Sequence, residues 1–588
     1  MMAWEGLGSR WASVWVLELI SSVASGRHSA WHHTTSEAAA CHAQVLLPGT
    51  SHLWLWHLAC TPEVMSWLDP MACGLMGDVD NVPACSSPSR FVLQKFQDAK
   101  IALLANGKDF SCQQDGSPQG RKRRTYSGPD LPEDIWRHIH FMMPLQDAAR
   151  AACVSHAFLG SWRCRPDITI SRETLGLNKN LHGKDEIARD FNSKVDQILK
   201  KRSGIGLKAL KIDFCGYNAD TYSYLNNWLE IAITPELEEL TLHLLPNKAK
   251  YSFPCSLLSN GRGNSIQHLK LAWGTFRNTV GLDCLKHLTS LYLSNVSITG
   301  NELGCLLSNS IALELLDLSE CYKIVHLKIP CLLQRLSCLR VSTCGRLKMI
   351  ENKAPNISSF HFSGLDGEFS LGESSLQLKD MMLNKCCTIS FALAKLPFIV
   401  PNLEALSLYS YYEVPNPPMV SKTFLHLKHL SIKLCEGAFF PDIDCFYAVS
   451  FLDAAPSLET LLLGVTVLRM KHEPFVGEHS PRRQIMGTHH SNLKSVKIIG
   501  FCSAKSLVEL TCYILENATS LDCLTLDTTW GCFPRCSDHE ISKCHPLTKN
   551  IIRDSQNALL VIRAWIEGKV PPSVKFNVLG LCSKCHNT

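Results

Sequence analysis

One spacing recurs through most of the chain: an apolar residue, two variable positions, a second apolar residue, one variable position and a third. It occurs at Leu207/Leu210/Ile212, Leu237/Leu240/Leu242, Ile266/Leu269/Leu271, Leu288/Leu291/Leu293, Leu313/Leu316/Leu318, Leu336/Leu339/Val341 and Ile357/Phe360/Phe362. It continues at Leu378/Met381/Leu383, Leu403/Leu406/Leu408, Leu427/Leu430/Ile432, Leu458/Leu461/Leu463, Leu493/Val496/Ile498 and Leu521/Leu524/Leu526, thirteen copies in all. The last two apolar positions lie two apart, the period of a strand with one face buried. First positions recur about every 26 residues, room for a strand and a return segment. Such a unit cannot bury its apolar side alone, so stacked neighbours must share one core.

Ahead of the array the period changes to that of helices. Leu131, Ile135, Ile139 and Met142 form one helical stripe, with Pro132 well placed at a helix start and Pro144 ending it. Leu145, Ala148, Ala149 and Ala152 form a second stripe. Ser155 can cap a third helix, to which Phe158 and Trp162 give an apolar face.

The order Leu-Pro-Glu-Asp-Ile, Ile139, Met143-Pro144-Leu145, Asp147-Ala148-Ala149-Arg150, Val154-Ser155 and closing aromatics resembles an F-box. It departs from that pattern at Phe158, where a Trp is expected. The resemblance implies a three-helix module that binds the Skp-family adaptor of an SCF-type ubiquitin ligase. It also implies that Leu131, Pro132, Ile135, Ile139, Pro144, Leu145 and Val154 hold or form the adaptor surface.

The array in turn resembles a leucine-rich repeat. From Asn492 onward it is similar to the FBD-like region of plant F-box/leucine-rich-repeat proteins. The implied fold class is an α/β solenoid with a parallel sheet on its concave face. That face would present variable strand residues, among them Glu238, Glu239, Lys270, Tyr292, Asp317, Arg340, His361, His429, Lys433, Glu459 and Lys497. Cys321, Cys344 and Cys386 follow three residues after a third apolar position, where an inward thiol can bond the backbone as the chain leaves the strand. Helices are expected over Asp185 to Lys201, around Leu507, Leu510, Ile514 and Leu515, and over Ile551 to Ile566, the last two capping the array. Lys471 to His490 reads as a surface insertion.

Composition narrows this picture little. Of 588 residues, 46% are hydrophobic and 19% charged, which suits a chain with a sizeable core. A formal net charge of +5 gives no electrostatic reason for nucleic acid or a membrane surface as partner. The 27 cysteines are scattered and odd in number, which suits reduced thiols and a nuclear or cytoplasmic protein. No run of some 18 apolar residues suggests a transmembrane helix. Trp11 to Ala24 has a signal-like apolar run interrupted by Glu18. A bland extension is the preferred account of it.

Arg121-Lys122-Arg123-Arg124 lies in a Gly-, Ser- and Pro-rich linker, as a nuclear-import signal would, or as a solvated charge run. Cys582, Cys585 and His586 have the form of a haem-attachment motif and could join Cys532, Cys536, His539, Cys544 and His545 around zinc. Free thiols are the preferred account, and no cofactor is expected. P-loop, G-x-G-x-x-G, H-E-x-x-H and G-x-S-x-G motifs are absent from the sequence.

The expected organisation is a low-order extension over 1–112, a basic linker over 113–128, an F-box over 129–170 and a connector over 171–203. Leucine-rich repeats follow over 204–530, FBD-like from about 490, then a cap and Cys-rich tail over 531–588. The expected function is a non-catalytic substrate receptor, linking an unknown target protein to the Skp adaptor and, through it, to cullin. The alternative is a protein-binding scaffold without a ligase role.

Overall fold

The structure, a computed structural model, describes residues 133–154, 156–177, 184–201, 206–213, 222–246, 250–259, 261–277, 285–364, 367–411, 422–434, 444–465, 475, 488–529, 547 and 549–582. They fall into two compact units divided between Cys164 and Arg165.

Among the described residues the first unit holds three helices: α1 (Glu133–Met142), α2 (Leu145–Val154) and α3 (His156–Arg163). Acidic residues in the first turns of α1 and α2 suit the positive end of each helix dipole. Glu133 also pairs with Arg137 at 3.1 Å, and Asp147 with Arg150 at 3.2 Å. Met143, Ala148 and Phe158 form the core, with Ile139, Ala151 and Trp162 packed against it. The expected first stripe therefore needs one correction. Met142 is exposed and Met143, just past the helix end, is buried, because the chain turns before Pro144.

The second unit is built on a parallel sheet. Its strands include β1 (Asp167–Ile170), β2 (Ala209–Asp213), β3 (Glu239–His243), β4 (Ser252–Phe253), β5 (His268–Phe276), β6 (Ser290–Ser297) and β7 (Leu315–Ser319). After β8 (His326–Ile329) come β9 (Cys338–Ser342), β10 (Met349–Asn352), β11 (Ser359–Ser363), β12 (Glu368–Ser370) and β13 (Asp380–Cys386). The rest are β14 (Ala405–Tyr411), β15 (His429–Leu434), β16 (Thr460–Val465), β17 (Ser495–Ile499), β18 (Cys523–Asp527) and β19 (Lys575–Leu579).

The main sheet runs β1-β2-β3-β5-β6-β7-β9-β11-β13-β14-β15-β16-β17-β18-β19, with β4 attached to β5. Every one of the thirteen motif copies forms a strand in it. Their register aligns equivalent motif positions, as in Leu210↔Leu240, Leu240↔Leu269 and Leu269↔Leu291. Two continuous apolar rows result, and nearly all their members are fully buried.

The sheet extends past both ends expected of it. β1, within the segment read as the end of the F-box, pairs with β2 through Ile168↔Leu210 and Ile170↔Ile212. β19, within the segment read as cap and tail, pairs with β18 through Phe576↔Leu524. Each continues the two apolar rows, so each belongs to the array.

Several of the longer repeats carry an α-helix in the return, such as Gly300–Asn309, Thr388–Ile399 and Lys505–Asn517. From Leu313 the intervals shrink to 23, 21 and 21 residues, too short for a helix with its connections. There the returns are β8, β10 and β12, which form a second parallel sheet. The helix Gly300–Asn309 begins against this sheet, where a Cβ on Gly300 would run into the His326 carbonyl oxygen.

Two further rows tie neighbouring repeats. Immediately before the first apolar position, Asn356, Asn402, Ser457 and Asn492 bond carbonyls of the preceding repeat at 2.7–2.9 Å. Immediately after it, Lys379, Glu404, Lys428, Glu459, Lys494 and Asp522 alternate in charge over six successive repeats. Glu404 lies 3.1 Å from Lys379 and 3.8 Å from Lys428, and Glu459 lies 2.9 Å from Lys494.

The other expected helices form at Lys184–Lys200 and Lys549–Trp565. Of the expected insertion, Phe475 and 488–490 are described; Thr488 and His489 are exposed, as expected, whereas Phe475 and His490 pack. The Phe475 ring lies 5.3 Å from that of Trp565, and His490 is buried.

Candidate functional site

On the three-helix unit, α1 and the turn into α2 carry most of the expected adaptor residues that the structure describes. Ile139 faces the core and Leu145 is buried, so both hold the helices in place. Ile135 is half-buried, Met142 is 43% exposed and Pro144, two residues on, is exposed, so α1 and the turn after it leave apolar side chains partly uncovered. Val154 ends α2, while Leu131 and Pro132 lie outside the described residues. His140, which sequence reasoning passed over, is fully buried. Its ring stacks on Phe158 at 5.5 Å and bonds the Ala148 carbonyl at 3.1 Å through Nε2. The Phe158 that departs from the family pattern is thus the buried side chain that packs on His140.

On the repeat unit, residues between the two buried rows form the open face of the sheet. One register row runs Lys270, Tyr292, Asp317, Arg340 and His361. Of the residues expected on this face, Glu239, Lys270, Tyr292, Asp317, Arg340, His361, His429, Lys433 and Lys497 lie on it. Glu238 and Glu459 do not. They sit one position before their strands, in the row that ties repeats at the edge, where Glu238 pairs with Lys208 at 3.2 Å. A strand reverses face at each residue, and the edge row begins where the strand has not yet started.

Two carboxylates on the open face are set in opposite directions. Burial raises the Asp317 carboxyl above its ordinary range, although Arg340 at 4.0 Å, with Lys270 and His361, pulls it back. Asp380 is held below that range, chiefly by its 3.0 Å bond with His361 Nε2 and also by the Ser359 hydroxyl at 2.9 Å. Ser359, His361 and Asp380 have the composition of a hydrolytic relay but not its geometry. The same Nε2 meets both the serine (3.2 Å) and the aspartate, and the serine donates directly to the carboxylate. A relay needs the two on opposite ring nitrogens. This cluster can pair and position, but it cannot deprotonate its serine.

Buried thiols behave as expected of small apolar residues. Cys321 Sγ bonds the Leu293 and Ser319 carbonyls at 3.5 Å, and Cys344 Sγ bonds Leu318 O at 3.9 Å, closing the turn after each strand. Contact with Cys344 and burial push the Cys321 thiol up, and burial pushes Cys502 up to about 11, which keeps both protonated and unreactive. Cys582 is half-buried. Its expected companions Cys585 and His586, the other tail cysteines and histidines, and Arg121, Lys122, Arg123 and Arg124 lie outside the described residues. Among the described residues no group of three metal-binding side chains gathers, and no helix is long and apolar enough to cross a membrane.

The comparisons with known proteins follow the same division. Residues 129–163 match the F-box domain, and residues 198–583 match the family model described as the At1g61320/AtMIF1 LRR domain. Two curated proteins of Arabidopsis thaliana are similar. The putative FBD-associated F-box protein At1g61330 is 22% identical over 432 residues, covering 67% of this chain and 90% of that protein. The F-box/LRR-repeat protein At3g26922 is 24% identical over 167 residues, covering 28% of this chain and 50% of that protein. The F-box boundary at 163 agrees with the end of α3, and the repeat match reaches 583 because β19 belongs to the array. With an F-box ahead of it, the chain belongs to the At1g61320/AtMIF1 leucine-rich-repeat family.

Proposed function

We propose that the protein is the substrate-recognition subunit of an SCF-type ubiquitin ligase. Its three-helix unit docks a Skp-family adaptor, which bridges to cullin, and the open face of its repeat sheet binds a target protein. The observation that carries this reading is the pairing of an F-box with a long parallel sheet that has one buried and one open face. The chain itself is non-catalytic: partner subunits transfer ubiquitin, and this subunit supplies proximity and orientation. Arg121-Lys122-Arg123-Arg124 directs part of the population to the nucleus, and the remainder works in the cytoplasm.

Affinity capture of the full chain tests the ligase role. Skp adaptor and cullin are expected to co-purify with the wild-type chain. Ile135→Lys, which places a charge at the half-buried apolar position near the start of α1, is expected to lower adaptor recovery at least about tenfold, the usual scale for losing a central apolar contact. Circular dichroism of the same variant checks that the chain remains folded. Failure of the wild-type chain to retain the adaptor would remove the ligase role and leave a repeat scaffold.

A further inference from the structure

The open face carries two lysines set in the same way at two separated places. Lys270 on β5 lies over the ring of Tyr292 on β6, with Nζ 5.6 Å from its centroid. Lys433 on β15 lies over the ring of Tyr409 on β14 at 5.0 Å and donates to its hydroxyl at 3.2 Å. Among the described residues neither ammonium has a carboxylate within 4.0 Å. The charges between them are already engaged: Arg340 with Asp317, and His361 with Asp380. One row further along the strands, Ser319, Ser342 and Ser363 stand in register as half-buried hydroxyls. The face is therefore neutral and hydroxyl-lined at its centre, with a cation resting on an aromatic platform on either side.

From these features we infer that the target presents an extended acidic segment, laid across the strands, with one carboxylate at each Lys-Tyr site. The inference deepens the proposed function, because it rests on the open face being the target-binding surface. Spacing follows from the sheet. From β6 to β14 there are five strand intervals, about 24 Å at about 4.8 Å each. An extended chain rises about 3.3 Å per residue, so the two carboxylates stand about seven residues apart. Uncharged residues between them suit the hydroxyl row, whose serines can bond a peptide backbone. Each ammonium would gain a charge-assisted bond while keeping its place over the ring.

Selection of a random peptide library against the immobilised full chain tests this. Enriched peptides are expected to carry Asp or Glu pairs about seven residues apart, with uncharged residues between. Binding should weaken with added salt. Lys270→Met and Lys433→Met should each weaken a selected peptide, and the double charge reversal Lys270→Glu/Lys433→Glu should lower its binding at least about tenfold. The reversed face should instead select Lys or Arg pairs at the same spacing. Enrichment without acidic pairs, indifference to their spacing, equal binding to the double variant, or no enrichment at all would overturn the inference. Adaptor capture on the same preparations separates the two failures. A chain that holds the adaptor but selects no acidic pairs refutes the segment, whereas the reverse result refutes the ligase role.

Discussion

His490 illustrates what a single residue can reveal that its surroundings in sequence do not. It is buried, bonds Tyr513 Oη at 3.1 Å through Nε2, and lies 3.9 Å from Asp453. Burial pushes its imidazole below the ordinary value, outweighing the attraction of Asp453, and His489 adds to the depression. The neutral ring is thus the form the fold prefers. Above the unfolded value of about 6.5 both states are neutral and nothing changes. As pH falls below it, the unfolded chain takes up the proton more readily and stability is lost. Urea midpoints at pH 7.5 and 5.5 should therefore fall for the wild type and fall less for His490→Gln. An equal fall in both would show that other groups set the acid sensitivity. In the sequence, His490 closes a polar stretch that reads as surface, because its partners Tyr513 and Asp453 lie 23 and 37 residues away. Trp273, Asn295, Glu320 and Thr343 were hidden for a similar reason. All four have positive φ and follow one register column, inside β5 and β6 and just past β7 and β9, although none is a glycine.

Elements were far more legible. The thirteen strands lie where the apolar spacing puts them, since period two over a stacked repeat leaves one workable face assignment. β1 and β19 escaped because their first motif positions are Arg165 and Ser573 rather than an apolar residue. Each end strand has one neighbour fewer, and so needs less apolar surface. The helix Gly300–Asn309 has a start signal that was also readable. Thr299 Oγ1 accepts from the Glu302 N–H at 3.3 Å, and the Thr299 N–H donates to Glu302 Oε2 at 2.8 Å. Such a reciprocal cap satisfies two orphan donors. Thr299→Ala should cost about 1 kcal/mol in chemical denaturation, with Thr299→Ser close to wild type. A loss equal in both variants would mean that the threonine methyl, not the cap, is what matters. The apolar residues of α1 and the turn after it were legible in composition only. Which of them face inward depends on a turn at Met143 that periodicity alone places one residue too early.

For the molecule as a whole, the alternating row from Lys379 to Asp522 has a consequence beyond local pairing. It works as a parity rule on copy number. Duplicating the single repeat that begins at Leu403 would set two glutamates side by side, whereas duplicating the pair that begins there and at Leu427 would preserve the alternation. These side chains are largely exposed, so the effect must depend on ionic strength. At low salt the chain lengthened by one repeat should melt below the chain lengthened by two, and the gap should close in about 1 M salt, where charges more than about 3 Å apart are screened. A gap indifferent to salt would assign it to packing at the new junction. If the row behaves this way, the array can lengthen or shorten most easily in steps of two, and its open face would change in extent by even counts of strands.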